Sequence, residues 1–415
     1  MNTTTKSLFA GGAVLCAAAS ILLGISMRDR VDVGGISADP APLSGLVAST
    51  DSREVPEGDY FYEISQLLKQ RYVEPITDEQ KLALGAIRGM VASLGDPDSL
   101  YMDKDEYRVY KNAKAGKYEG IGVYVELEYS DEPSVQAKGS AHPVDTDEAL
   151  LGGMRIPKLT VVTVVPGSPA DRAGVQVGDW VEYIDDHWVP NAATVISFRK
   201  LEKAVQQGKA KLEDLVKERV ELRQRTKKTL LPLKAKDKLV MGTSGTLKIV
   251  WRRGDVARTT EIKKEASAFS TPNPEDPALR LAFNSEAPNL LKKAIQGKSS
   301  IVIDLKNNAV GDFGSMKQCL EALAPSGVYG SLKTAKTSIP FKTESGNANP
   351  PKVVLLVDES TRGLAEIFAL ALSSSKIAKL SGSEMSGHRI VVEDNSLPDG
   401  SGYTLATAEY KVTAK

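Results

Sequence analysis

The chain has 415 residues, 41% of them hydrophobic and 26% charged, which is enough apolar sequence for two or three globular domains with cores of their own. Its 53 Lys and Arg balance 53 Asp and Glu, so no global charge favours nucleic acid or an acidic substrate. With 2 cysteines, 3 scattered histidines and no phosphate-cradling glycine motif, the sequence excludes a disulfide framework and a thiolate metal cluster, and no cofactor or metal is expected.

Leu8 to Met27 is an uncharged run of the length that crosses a bilayer as a helix. A signal peptide cut after "AAAS" competes with a retained anchor, but the cut would leave the apolar "ILLGISM" as the new terminus. Residues 1–30 are therefore read as an uncleaved membrane anchor or signal sequence. Lys6 and the terminal amine balance Arg28 and Arg30, so charge gives no orientation. Residues 31–58, rich in Gly, Pro, Ser and Asp, read as a linker.

A small helical module is expected over residues 59–115. "DYFYEISQLLKQRYVEP" sets Phe61, Ile64, Leu67 and Leu68 on one face. "TDEQKLALGAIRGMVASL" is a second helix, with Thr77 and Gln80 as its capping box and Leu82, Ala86, Ile87, Met90 and Leu94 as its apolar stripe. "GDPDS" stops it, because Gly95 and Pro97 cannot continue a helix.

Residues 116–268 open with "KYEGIGVYVELE". They continue into "KLTVVTVVPGSPADRAGVQVGDWVEYIDDHWV", a strand, a turn with a short helix, and a further strand. The spacing of Pro166, Gly167, Ser168, Pro169, Ala170, Ala173, Gly174, Gly178 and Asp179 resembles a PDZ domain, whose final strand would be in "GTSGTLKIVWRRGD". Such domains bind extended peptides, often C-termini, by adding a strand to a sheet edge. The resemblance makes Gly120, Ile121, Gly122 and Val123 the candidate peptide-binding loop, with backbone N–H groups converging on a terminal carboxylate; the simpler alternative is a tight turn. Two insertions interrupt the pattern. One is a polar loop, "EYSDEPSVQAKGSAHPVDTDEALLGGMRIP". The other is the basic helical segment 198–231, in which Leu201, Val205, Leu212, Leu215 and Val216 could form a docking stripe; a solvated helical excursion is the simpler reading.

Residues 269–415 alternate strand and helix. "SSIVIDL", "PKVVLLVD" and "KIAKLSG" read as buried strands, "SMKQCLEALA" and "GLAEIFALAL" as helices, and "YTLATAEYKV" as a terminal strand. The βαβ rhythm predicts an α/β core with helices covering a sheet, within a multidomain α/β (α+β) chain.

Together, "GAIRGMVASLGDPDSLYM", "YEGIGV", the PDZ pattern, "IVIDLKNNAVG", "VDESTRGLAEIF" and "LPDGSGYTLATAEY" stand in the order found in the carboxy-terminal processing, or tail-specific, proteases. The chain resembles that family from about Tyr60 to its end. The resemblance implies an exported or membrane-anchored serine peptidase of the bacterial periplasm or cell envelope. A serine nucleophile and a lysine base would do the chemistry, and the PDZ domain would capture apolar C-terminal tails. The family turn S-A-S-A-S-E-I, anchored on Glu366-Ile367, puts its nucleophile at Gly363, which has no side chain to form an acyl intermediate. In "GSEMSGHRI" the lysine position carries His388, and the supporting position carries Ser374. "DLKNNAVGD" has Val310 where the first oxyanion glycine would stand; Gly311 remains, and Leu364 N–H would be the second donor. Ser360, Thr361, Ser373 to Ser375 and Ser386 are the alternative hydroxyls, read first as ordinary surface or capping groups. The expectation is thus a proteolytically inactive, tail-binding scaffold or regulator. It would have peptide tails or a protein as partner, an oligomer or active paralogue as a further partner, and no nucleic acid. An active peptidase with a relocated nucleophile is the alternative.

Overall fold

The computed structural model describes residues 57–129, 156–269 and 277–412. The predicted anchor (1–30), almost all of the linker (31–58) and most of the polar insertion lie outside them. Among the described residues no helix is long and apolar enough to cross a membrane.

In chain order the first elements are α1 (Glu57–Arg71), α2 (Glu79–Ala92), β1 (Tyr101–Met102), α3 (Lys104–Lys114), β2 (Lys117–Tyr118), β3 (Val123–Tyr129), β4 (Pro157–Val164), α4 (Pro169–Arg172), β5 (Trp180–Ile184) and β6 (His187–Trp188). Then come α5 (Ala192–Gln206), α6 (Leu212–Lys227), α7 (Pro232–Val240), β7 (Thr246–Arg253), β8 (Val256–Lys263), β9 (Ser267–Ala268) and β10 (Leu279–Arg280). The last part holds α8 (Ala287–Ile295), β11 (Ser300–Asp304), α9 (Phe313–Leu323), β12 (Gly327–Lys333), β13 (Ser338–Thr343), β14 (Lys352–Val357), α10 (Leu364–Ser374), β15 (Ala378–Gly382), β16 (Ile390–Ser396) and β17 (Gly402–Lys411).

The chain divides into two compact units, Met1–Gly85 and Ala86–Lys415. In the first, α1 leaves Phe61, Ile64 and Leu68 exposed, so its predicted apolar face is not core. The cap of α2 sits one residue later than predicted: Lys81 N–H donates to Asp78 Oδ1 at 3.0 Å, making Asp78 rather than Thr77 the residue that satisfies the first turn. No residue of α2 is buried.

The second unit holds two substantial cores. One lies in a six-stranded antiparallel sheet, β3-β4-β5-β7-β8 with β6 on β5, and includes Val123, Val161, Val181, Ile249 and Trp251. Strand β3 is the sheet edge, and α7 packs against β3 and β4. In the basic insertion Leu215 is buried, while Leu212 and Val216 are exposed, so the proposed stripe is split between core and solvent.

The other core surrounds a parallel sheet, β10-β11-β14-β15, between α8, α9 and α10. The continuous apolar runs of β11 and β14 are what burial on both faces demands. Ile303, Leu305, Leu355, Phe368 and Leu372 are fully buried, each contributing about 1.5–3 kcal/mol over exposure. The βαβ reading omitted a second, antiparallel sheet, β1-β17-β12-β13 with β16 on β17, which caps this core. Here Tyr101 of β1 pairs with Tyr403 of β17, across about three-quarters of the chain.

Candidate active site

Strand β14 ends at Val357, and the chain turns through Asp358–Gly363 into α10. Gly363 has φ 53° and ψ −123°, a combination that is open to glycine and strained for other residues. Its N–H donates to His388 O at 2.8 Å, which fixes the turn against the segment before β16. An added Cβ would meet only Ala309 O, at 3.7 Å. The backbone therefore keeps the sharp strand-to-helix elbow and the room for a side chain, without having one.

The segment after β11 lies beside the elbow. Asn308 Nδ2 donates to Leu281 O at 2.6 Å, and Arg362 N–H donates to Asn308 O at 3.3 Å. Val310, Gly311, Gly363, Leu364 and His388 line one cavity of about 120 Å³. Gly311 stands where a side chain would press on Phe283, with a Cβ 3.0 Å from the Phe283 Cβ. Among the described residues neither the Gly311 nor the Leu364 N–H makes a hydrogen bond, so both amides are free to donate, and both residues line the cavity beside Gly363.

His388 is joined by a residue that sequence reasoning missed. Its Nε2 lies 2.9 Å from Asp98 Oδ2, in the loop after α2. Burial lowers the His388 pKa, but the hydrogen bond and the charge of Asp98 outweigh it and hold the imidazole above its ordinary value. The signal was weak: "GDPDS" served as a helix stop, and only the acid in that turn, without a nearby basic residue, hinted at a distant partner.

The predicted supporting residue, Ser374, is not at this site. It lies in the last turn of α10, where its Oγ donates to Ala371 O at 3.4 Å, because the helix carries it away from the elbow. The alternative hydroxyls are also committed elsewhere. Ser360 Oγ donates to Asp358 and accepts the Asn307 N–H at 2.6 Å. Thr361 Oγ1 points to Leu305 O, and Ser373 Oγ to Leu370 O, each at 3.4 Å. Ser375 caps the end of α10. Ser386 Oγ donates to the buried Glu366 at 3.0 Å and accepts the backbone N–H of His388 at 3.1 Å. The other contact on that carboxylate is Arg389 Nε, at 2.9 Å. No hydroxyl among the described residues bonds to the His388 ring.

The cavity continues into a groove between the edge of β3 and α7, lined by Val123, Val125, Leu233 and Val240. The candidate carboxylate loop lies at its end, and its first two amides are already used. Gly120 N–H donates to Gly242 O at 2.8 Å, and Ile121 N–H to Leu239 O at 2.9 Å. Gly120 and Gly122 have φ of 74° and 80°. A Cβ on Gly120 would lie 1.9 Å from Leu239 O, and one on Gly122 would lie 2.2 Å from Ser168 Cβ. Both glycines are thus required by the close turn itself, and Gly120 and Ile121 cannot offer their amides to a ligand without losing these bonds. The tight-turn reading thus accounts for both glycines, and of the candidate loop the Gly120 and Ile121 N–H groups are engaged within the fold.

The acidic groups of the groove and cavity are individually matched. Asp98 pairs with His388, Glu106 with Arg88, Glu119 with Arg108, Glu126 with Arg362 at 2.5 Å, and Asp237 with Lys234. Half-buried Lys236, on the groove face of α7, makes no ion pair or hydrogen bond among the described residues. Desolvation lowers its pKa, and the carboxylates of Glu106, Asp237 and Glu126 oppose that shift from a distance.

Three family models match the chain. Peptidase family S41 matches residues 281–414, the N-terminal domain of the activating protease CtpB matches 47–106, and a PDZ domain matches 160–198. The carboxy-terminal processing protease CtpB of Bacillus subtilis is 25% identical over 418 residues, covering 98% of this chain and 73% of that protein. The chloroplastic carboxyl-terminal-processing peptidase 2 of Arabidopsis thaliana is 23% identical, covering 82% of this chain and 59% of that protein. The photosystem II D1 C-terminal processing protease shares the fold, with a TM-score of 0.52 at 19% identity over 86% of this chain and 89% of that one.

Proposed function

We propose that this chain, which belongs to the carboxy-terminal processing protease family, holds peptide tails without cutting them. One observation carries the proposal: Gly363 occupies the elbow, and no described hydroxyl reaches the imidazole that replaces the family lysine. Without a nucleophile there is no acyl intermediate, and amide cleavage loses the step on which the family chemistry depends.

The tail-binding part is residues 116–268, and the core of residues 269–415 is its scaffold. An extended peptide adds to the edge of β3, its side chains seat between Val125 and Leu233, and its carboxylate meets Lys236, which makes no ion pair among the described residues. The apolar run 8–27 anchors the protein in the membrane, with the body outside the cytoplasm in the cell envelope. There it acts as a scaffold or as a regulator of an active relative, through mixed oligomers.

The test combines binding and cleavage. The full chain is titrated with fluorescent peptides ending in apolar residues, as free acids and as amides, and is incubated with a folded protein bearing the same tail. Saturable binding that prefers the free acid, with the protein left intact, is expected. Cleavage by the wild type that is abolished by alanine at Ser360 or Ser386 would overturn the proposal.

A further inference from the structure

None of residues 198–231, the basic helical segment, lines the cavity or the groove. The segment holds 11 Lys and Arg against 5 Asp and Glu, in a chain whose total charge is balanced. Within it α6 packs against α5 and β6 and buries Leu215 and Leu222. Its solvent side carries Leu212, Val216 and Val220, each between 45% and 53% exposed. At about 100° per residue these three, with Arg223 and Lys227, fall within about 80° of one face. Asp214, Glu218 and Glu221 fall on the opposite flank, where Arg225 lies 4.0 Å from Glu221. Glu213 borders the face in the first turn, where the helix dipole favours an acid. Arg223 and Lys227, and Lys209 and Lys211 in the turn entering α6, are exposed and form no ion pair among the described residues.

We infer that this face of α6 docks on an anionic phospholipid surface. Leu212, Val216 and Val220 leave water for the boundary of the acyl layer. The stems of Arg223 and Lys227 lie along them while their charged ends reach the phosphates. Cations interleaved with aliphatic side chains suit a lipid interface, which offers apolar chains and negative charge side by side. Nucleic acid would match the charge alone, because α6 has no aromatic side chain on which a base could stack. An acidic peptide would pair with the cations and leave the apolar row uncovered. The inference stands apart from residue 363, from the tail groove and from the apolar run 8–27.

The experiment uses the full chain with the polarity-sensitive dye NBD on Gln224→Cys, an exposed position one turn past Val220. Cys16→Ser leaves the buried Cys319 as the one native thiol. The labelled chain is mixed with vesicles of phosphatidylcholine alone or of an equal mixture with phosphatidylglycerol. An apolar run enters neutral and anionic bilayers alike, so the difference between the two vesicles reads the charge-dependent docking of α6. A blue shift of the dye is expected with the mixed vesicles only, and added salt should reverse it. A basic residue at such a surface contributes about fivefold in affinity. At one fixed excess of lipid, Arg223→Gln with Lys227→Gln should therefore lower the ratio of docked to free α6 by about 10- to 30-fold, with circular dichroism unchanged. Equal spectra with the two vesicles overturn the inference, as does a shift that the double substitution leaves intact. A shift that grows with protein concentration without lipid would mark a second copy of the chain as the occupant, and one produced by polyglutamate but not by phosphatidylglycerol would mark an acidic protein; either overturns the lipid reading.

Discussion

Two glycines of this chain have positive φ and opposite surroundings, and replacing each by alanine separates backbone strain from crowding. At Gly363 (φ 53°) the nearest atom to a new Cβ is 3.7 Å away, so the penalty is conformational only, about 1–3 kcal/mol. Reduced freedom of the unfolded chain returns about 0.4–1 kcal/mol, leaving a net loss of at most about 2.6 kcal/mol. At Gly120 (φ 74°) the new Cβ would lie 1.9 Å from Leu239 O and 2.8 Å from Val240 Cα, both backbone atoms of α7. The helix end must move, which adds about 1–3 kcal/mol of overpacking. It also endangers the bonds from Gly120 N–H to Gly242 O and from Ile121 N–H to Leu239 O, each worth about 0.5–1.5 kcal/mol. Gly120→Ala should therefore cost about 2–6 kcal/mol more than Gly363→Ala. Urea unfolding followed by far-UV circular dichroism and Trp fluorescence measures both. An equal or larger loss for Gly363→Ala would refute the picture of the elbow as an open seat kept in shape by its surroundings.

Three further outcomes follow from the same structure. Arg389→Met leaves the Glu366 carboxylate, 1% exposed, with only Ser386 beside it; the partly exposed arginine places the cost near the lower end of the range for broken buried pairs, about 3 kcal/mol, and adding Glu366→Gln should recover most of it in urea unfolding. Because Asp98 raises the His388 pKa above 6.5, the stability from their pairing is greatest below pH 6.5 and is lost as pH rises through the folded pKa; the stability gap between wild type and Asp98→Asn should be larger at pH 5.5 than at pH 9, and an unchanged gap would contradict the pairing. Lys236→Met should weaken binding of a free-acid tail by ten- to a hundredfold, or about 1.5–3 kcal/mol, with little effect on the corresponding amide, measured by fluorescence polarisation.

The parts of this molecule visible in the sequence are those set by local periodicity. The runs "IVID" and "VVLLV" are apolar throughout because both sheet faces are covered, so β11 and β14 could be read directly, and the jump from such a run into "GLAEIFALAL" exposed the elbow. Contacts closed over long sequence distances were hidden. Asp98 meets His388 across 290 positions, and in "GDPDS" it carries only the signature of a turn. The amides of Gly120 and Ile121 are taken up by Gly242 and by the end of α7, more than a hundred residues onward and past the segment 198–231 that read as an insertion. The antiparallel sheet joining β1 to β17 left no local mark in the two residues of β1. The faces of α1 and α2 show the converse: a good helical stripe identified each helix, but the stripe does not say what covers it.

The most direct test is incubation of the pure wild-type chain, beside Gly363→Ser, with a folded protein ending in a free apolar tail, followed by intact mass spectrometry. The wild type should leave the substrate whole and carry no acyl adduct, although the tail binds. Wild-type cleavage lost on alanine substitution at Ser360 or Ser386 would contradict the claim that the elbow, with glycine at position 363, cannot cut a peptide bond.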